Sequence, residues 1–326
     1  MEEMIDKVEK YKEIYTQLKK KLRWKVSDSR TLMMVASLYV TTNREFHMDQ
    51  FEELSDYIKD EVGVFSTLKS QGRFTFAALL DTRFDSPKER VADFLAMYDT
   101  LVKTGFSRSI FTYIAAITLL EEENGQETAA SANELYKKMK SEHLFLTGQS
   151  DYPLAALLAQ RKQPADQLIG LIEEYYSKLN HAGFKKGNDL QSMSHILSLK
   201  DSVNPEEMVS RCTHIFDQMK LAGMKPKAMF YPQIALLSFL EDDTEQLAIV
   251  KNIQERLNAE KLFKWHKDLN FMMAVHFLIS SRIEHSSLLQ TSLSTTIEVL
   301  IQAQQAASMA AIAGASAASA SGGDGG

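Results

Sequence analysis

The chain has 326 residues, more than one ordinary hydrophobic core supports, so two compact domains or an elongated repeat array are the available plans. Its 44% apolar and 25% charged residues are those of a folded protein, and a formal net charge of −6 argues against non-specific binding to phosphate backbones as the main role. Gly (14) and Pro (6) are scarce and no series of short, Gly/Pro-punctuated strands is found, which gives an all-α reading.

In chain order, Met4, Val8, Tyr11, Tyr15, Leu18 and Leu22 alternate steps of 4 and 3, which predicts an amphipathic helix over residues 1–26 that caps the first repeat. A coiled-coil strand is the alternative. The opening Met1–Asp6 lacks the apolar core of a signal peptide. The lone Cys212 cannot form an internal disulfide, and together these features predict a cytoplasmic protein.

Residues 27–300 carry an internal repeat. A small residue inside an apolar helical run recurs at Ala36, Ala77, Ala115, Ala155, Ser194, Ala235 and Ala274, with steps of 41, 38, 40, 39, 41 and 39. About 28 residues past each anchor a helix ends, at Val62-Gly63, Gly105-Phe106, His143-Leu144, Gly183-Phe184, Gly223-Met224 and Lys261-Leu262. Gly there supplies the left-handed backbone that closes a helix, and the geometry is less defined where His143 or Lys261 replaces it. Between the two, Ser86-Pro87, Gln163-Pro164 and Asn204-Pro205 mark the start of a second helix.

Each unit then reads as helix A, a polar turn and helix B. Stacked, these predict an α-solenoid of about seven helix-turn-helix repeats with a period of about 40 residues. Residues 301–326, rich in Ala, Ser and Gly, predict a disordered tail, with Ile297, Leu300 and Ile301 ending the last ordered helix. The uncharged run Val299–Gly323 has too few large apolar residues for a membrane span.

The blocks Arg30–Phe46 (RTLMMVASLYVTTNREF) and Leu68–Arg83 (LKSQGRFTFAALLDTR) resemble those of a family of Bacillus-type bacterial proteins defined as a domain of unknown function. The resemblance spans roughly residues 5 to 300 and implies a bacterial cytoplasmic origin, with no catalytic or binding residues to carry over. A second, local resemblance joins Ile215–Pro232 (IFDQMKLAGMKPKAMFYP) to pentatricopeptide repeats, which bind single-stranded RNA. The period near 40, the non-recurring base-reading positions and the negative charge depart from that pattern.

Conspicuous residues have structural readings beside functional ones. Glu121–Glu123 and Glu241–Asp243 come just after helix A in units three apart; in a closed toroid they hold a Mg²⁺-diphosphate, and in an open solenoid they are solvated turns, with Asp243 or Thr244 a helix cap. The eight His residues form no ligand spacing, and His195 and His276 read as hydrogen-bonded core residues. Cys212 reads as a small buried hydrophobe. The run Lys19–Lys25, with Trp24 inside it, reads as a solvated helix end favoured by the helix dipole, with contact to an anionic lipid or nucleic-acid surface as its alternative.

Arg30, Arg73, Arg83 and Arg108, with Tyr113, Tyr152 and Tyr231, lie near ends of A helices and form the candidate binding surface. Inter-repeat packing explains the tyrosines equally well. The sequence thus predicts a protein- or peptide-binding scaffold that needs no cofactor and has no catalytic constellation; the alternatives are a toroid enzyme with a Mg²⁺-diphosphate site and a single-stranded RNA binder.

Overall fold

The structure, a computed structural model, describes residues 2–64, 66–200, 204–240, 243–285, 300, 301, 303 and 304. It is all-helical, with no strand among the described residues. The helices are α1 (Glu2–Leu22), α2 (Ser29–Thr41), α3 (Met48–Glu61), α4 (Gly72–Arg83), α5 (Arg90–Thr104), α6 (Ile110–Thr118) and α7 (Gly125–Glu142) in the first half. The second half supplies α8 (Tyr152–Ala159), α9 (Ala165–His181), α10 (Asn188–Leu197), α11 (Pro205–Leu221), α12 (Tyr231–Ser238), α13 (Asp243–Ala259) and α14 (Lys267–His285).

Odd and even helices differ in sequence and therefore in place. Even helices are apolar or small-residued all round, as in α2, where every residue from Thr31 to Thr41 is buried. Odd helices have one apolar stripe, as in α5, where Val91, Phe94, Tyr98 and Leu101 are buried, Leu95, Met97 and Val102 flank them half-buried, and Asp93, Asp99 and Lys103 face water. Each odd helix packs on the even helix next in the chain. The even helices also pack on one another in order from α2 to α14, so they form an inner layer beneath an outer layer of odd helices. All seven anchor residues, Ala36 to Ala274, are completely buried in this inner layer, where a small side chain lets neighbouring helices approach.

The two ends of the stack meet. Helix α14 packs on α2, and α1 packs on α13 and α14, so the hairpins close into a ring. Tyr11 stands 4.8 Å from the Phe263 ring and edge-on to Phe277 at 5.4 Å, while Tyr15 meets Phe263 at 5.1 Å. Lys12 Nζ reaches Glu260 Oε1 at 2.9 Å beside them. Leu300, Ile301 and Ala303 are also buried, and Gln304 hydrogen-bonds His276. Ile297 and the tail beyond Gln304 lie outside the described residues.

Three glycine slots behave as expected: Gly105, Gly183 and Gly223 have φ of 119°, 101° and 76°. The next amide reaches back across the turn in each, Phe106 to the Leu101 carbonyl, Phe184 to Leu179 and Met224 to Met219. Gly63 differs. There the apolar residue precedes the glycine, and buried Val62 leaves α3 in extended backbone, so no left-handed residue is needed. At the proline slots, Asn204 caps α11 by accepting from the Glu206 amide at 2.9 Å, whereas the Ser86-Pro87 turn delays α5 to Arg90.

Candidate functional site

Because odd helices lead into even ones at one edge of the ring, seven connectors share that rim. Hydrogen bonds and charges link them in sequence around it. Ser27 Oγ donates to Gln71 Oε1 (3.2 Å), Ser66 Oγ meets Tyr113 Oη (3.1 Å), and the Ser107 amide donates to Tyr152 Oη (3.3 Å). Gln191 Nε2 donates to Thr147 Oγ1 (2.7 Å), the Lys185 amide to Tyr231 Oη (3.1 Å), and Lys227 Nζ to Asp268 (2.6 Å). The circuit closes where His266 feels Arg30 and Asp28; burial, then the Arg30 charge, lowers the His266 pKa.

This rim is basic and carries the exposed apolar residues. Its segments 19–28, 58–72, 101–109, 139–151, 178–189, 219–230 and 256–268 hold 20 Lys and Arg against 8 Asp and Glu. Trp24, Val64, Leu144, Phe145, Leu221, Met229 and Trp265 are all exposed there, and Tyr57 lies one residue outside. Trp24 is 87% exposed, Trp265 81% and Phe145 95%. The opposite rim, in segments 42–50, 81–90, 119–127, 160–167, 199–200, 204–207 and 245–246, reverses the balance with 7 Lys and Arg against 13 Asp and Glu among the described residues.

The residues selected from sequence fall on the rims but divide in role. Tyr113, Tyr152 and Tyr231 are buried, and each hydroxyl fastens the connector of the preceding hairpin, so they staple neighbours together. Arg30 is paired with Asp28 at 2.5 Å, and that bond draws the Asp28 carboxyl below its usual range. Arg73 lies over the Phe74 ring and donates to the Ser70 carbonyl at 2.9 Å. Arg83 stands on the opposite rim, where it bridges to the Ile117 carbonyl and Glu121, each at 2.5 Å. Arg108 alone of the seven is exposed on the basic rim.

The connector with His143 in place of glycine shows how a loop is held without a left-handed residue. His143 Nε2 meets both Glu173 carboxylate oxygens at 3.0 Å, and its ring packs on Tyr176. The Gly148 amide donates to Asp151 Oδ2 at 2.8 Å. Asp151 is buried, which raises its pKa to about 6. Its other oxygen lies 4.0 Å from Nδ1 of His195, and burial lowers the His195 pKa to about 3. Among the described residues both ring nitrogens of His195 lack a hydrogen-bond partner, unlike the satisfied core histidine that the sequence suggests; His276 does have one in Gln304. This buried polar set fixes the base of the loop whose tip exposes Leu144 and Phe145.

Over residues 14–306 the chain matches the family described as Protein of unknown function (DUF4003). The chain belongs to the DUF4003 family. The uncharacterised protein YeaA of Bacillus subtilis (strain 168) is 41% identical to it over 308 residues, covering 93% of each chain. No solved structure matches. The family resemblance read from the anchor blocks is thereby established.

On the acidic rim of this DUF4003 protein, closure of the ring meets the first condition of the metal-diphosphate reading. Glu121, however, is engaged by Arg83, and Glu241 and Asp242 lie outside the described residues. No His, Cys, Asp and Glu group suited to a metal ion occurs among the described residues. No helix among them is long and apolar enough to cross a membrane. Cys212 is buried, as its apolar stripe predicts.

Sequence reasoning found two of the seven connectors of the basic rim, through the run at Lys19–Lys25 and through Arg108. It missed Phe145, Lys185, Lys186 and Trp265. The signal was present: each lies within a few residues after the slot that ends an odd helix, where the helix-closing glycine pattern drew attention away from the side chains beside it.

Proposed function

We propose that this DUF4003 protein is a docking module and not an enzyme: seven repeats of one helical hairpin, closed into a ring, that present one rim to an anionic partner. On this reading residues 1–26 both cap and close the array, residues 27–300 are the repeat domain, to which buried Ile301 and Ala303 also belong, and the Ala/Ser/Gly-rich tail begins after them. The single observation that carries the proposal is the coincidence, on one rim, of exposed apolar side chains with a large excess of lysine and arginine. The sequence points to a protein or peptide partner; the basic rim requires only that the partner present a dense anionic face, met in a reducing cytoplasm.

Binding of fluorescent poly-glutamate, measured by anisotropy on the full chain, is the test. The expected result is saturable binding that weakens with salt and is lost when Lys20, Lys185, Lys186 and Lys261 are changed to Glu. Binding that instead survives this reversal and is lost on substitution of Arg44 and Lys162 on the opposite rim refutes it.

A further inference from the structure

We infer that the anionic partner is the surface of a phospholipid bilayer rich in acidic headgroups, on which the ring lies flat with its basic rim down. The inference rests on the docking reading above and names its partner.

The first argument is where the apolar side chains stand. The chain has two tryptophans, and both are on this rim, on the neighbouring connectors 19–28 and 256–268. The others, Val64, Leu144, Phe145, Leu221 and Met229, are spread over three more connectors around the ring. A folded protein partner is met by a contiguous apolar patch with a charged border. Single apolar tips distributed around a rim suit instead a soft planar surface that accepts every tip at once. Tryptophan, with an apolar body and one N–H, has its favoured place at the headgroup level.

The second argument is the chemistry of the charges. Of the 20 basic residues in the rim segments, 17 are lysine, a point charge on a flexible stem that snorkels to headgroups while its methylenes lie along apolar surface. Arg23 lies over the Trp24 ring at 5.1 Å and Lys264 over the Trp265 ring at 4.9 Å, so each tip carries its cation with it. Lys20, Lys185, Lys186, Lys225, Lys261 and Lys267 are exposed and have no ion-pair partner among the described residues. Single-stranded nucleic acid fits less well, since Val64, Leu144, Leu221 and Met229 offer no π face on which a base stacks. The acidic rim, on the far side, orients the ring: a chain of net charge −6 is drawn to an anionic surface by one face only.

The test is co-flotation of the full-length protein with vesicles of mixed phosphatidylglycerol and phosphatidylcholine, against vesicles of phosphatidylcholine alone, with tryptophan emission read in parallel. Since both tryptophans are on the rim, their emission reports its environment directly. The expected result is flotation with the acidic vesicles only, accompanied by a shift of emission to shorter wavelength. Raising the salt, which shortens the screening length from about 10 Å at 0.1 M to about 3 Å at 1 M, releases the protein.

Each lysine reversed among Lys20, Lys185, Lys186, Lys225, Lys261 and Lys267 weakens partition about fivefold or more. W24A/W265A weakens it about tenfold, and because both side chains are exposed the fold is retained. Absence of flotation with unchanged emission overturns the inference. If the protein ignores the vesicles but binds poly-glutamate through the rim, the bilayer is wrong and the docking module stands. Binding to a single-stranded RNA oligonucleotide without vesicle binding overturns the bilayer likewise. Failure with vesicles, poly-glutamate and RNA alike overturns both readings.

Discussion

Closure of the ring makes a prediction that an open stack does not. Tyr11 on the first helix is completely buried between Phe263 and Phe277, which come from the last hairpin. Truncation to Ala removes a full aromatic side chain from a packed site and costs about 3–5 kcal/mol. In an open array that cost falls on α1 and its hairpin mate α2, because each unit contacts only its neighbours. In the ring the same change parts α1 from α13 and α14, helices at the far end of the chain.

Hydrogen exchange detected by mass spectrometry separates the two cases. Y11A speeds amide exchange in α1, α13 and α14 together, by a few hundred- to a few thousand-fold for that free energy. Acceleration confined to α1 and α2 refutes the ring. Y11F is the control for specificity: the Tyr11 hydroxyl is buried with no partner among the described residues, so its removal leaves stability unchanged or raised by about 1 kcal/mol.

Single contacts give further expectations. Y152F and Y231F each deprive a connector amide of its acceptor and lower stability by about 0.5–1.5 kcal/mol in denaturant titration. G223A meets no atom within 4 Å but forces an L-residue to φ near 76°, so it costs about 1–2 kcal/mol with no change in packing. His195 and His276 have folded pKa values lowered by burial to about 3 and about 4, below the unfolded value near 6.5. Their contribution is therefore intact above pH 6.5 and is lost as pH falls towards those values, at about 1.4 kcal/mol per pH unit each. Asp151 acts oppositely, since its pKa is raised to about 6: its stabilisation is full below the unfolded value near 3.8 and is lost as pH rises through 6. H195L flattens the acid limb of the stability profile by one histidine's slope, and an unaltered slope between pH 6 and 4 refutes the assignment.

The all-helical architecture was legible because each level of the sequence agreed with it. The anchors mark inner helices by their lack of bulk, and the stripes at 3 and 4 spacing mark outer ones. Closure was not legible, for a physical reason. Tyr11, Tyr15, Phe263 and Phe277 look like ordinary stripe residues, and nothing in their spacing says that the stripe of α1 faces the last hairpin. The staple tyrosines were misleading for a related reason: an aromatic at the start of an inner helix has the same local pattern whether its hydroxyl faces solvent or a neighbour's amide. Asn43 and Lys162, which take positive φ (52° and 53°) without glycine, were likewise invisible to a search for glycine slots.

The charge on the two rims has a partly mechanical origin, and separating that part sharpens what remains. All seven outer helices carry a basic residue in the last turn: Lys19–Lys21, Lys59, Lys103, Lys140, Lys178, Lys220 and Arg256. At their starts, Glu2, Asp49, Asp93, Glu127, Asp166 and Glu206 supply acid. Each helix gains about 0.3–1 kcal/mol from such placement. Because the outer helices all run the same way around a closed ring, seven local preferences add into one basic and one acidic rim. Lys185, Lys186, Lys225, Lys227, Lys264 and Lys267, however, lie beyond the outer-helix ends, and Lys267 opens α14, where a cation is disfavoured. Helix stability does not call for these, nor for the exposed Trp24 and Trp265 beside them. Reversing Lys185, Lys186, Lys225 and Lys267 to Glu therefore leaves thermal stability unchanged or improved, whereas reversing last-turn Lys103, Lys140 and Lys220 lowers it. If the first set proved as costly to stability as the second, the whole basic rim would be a by-product of helix capping and the case for docking would lose its support.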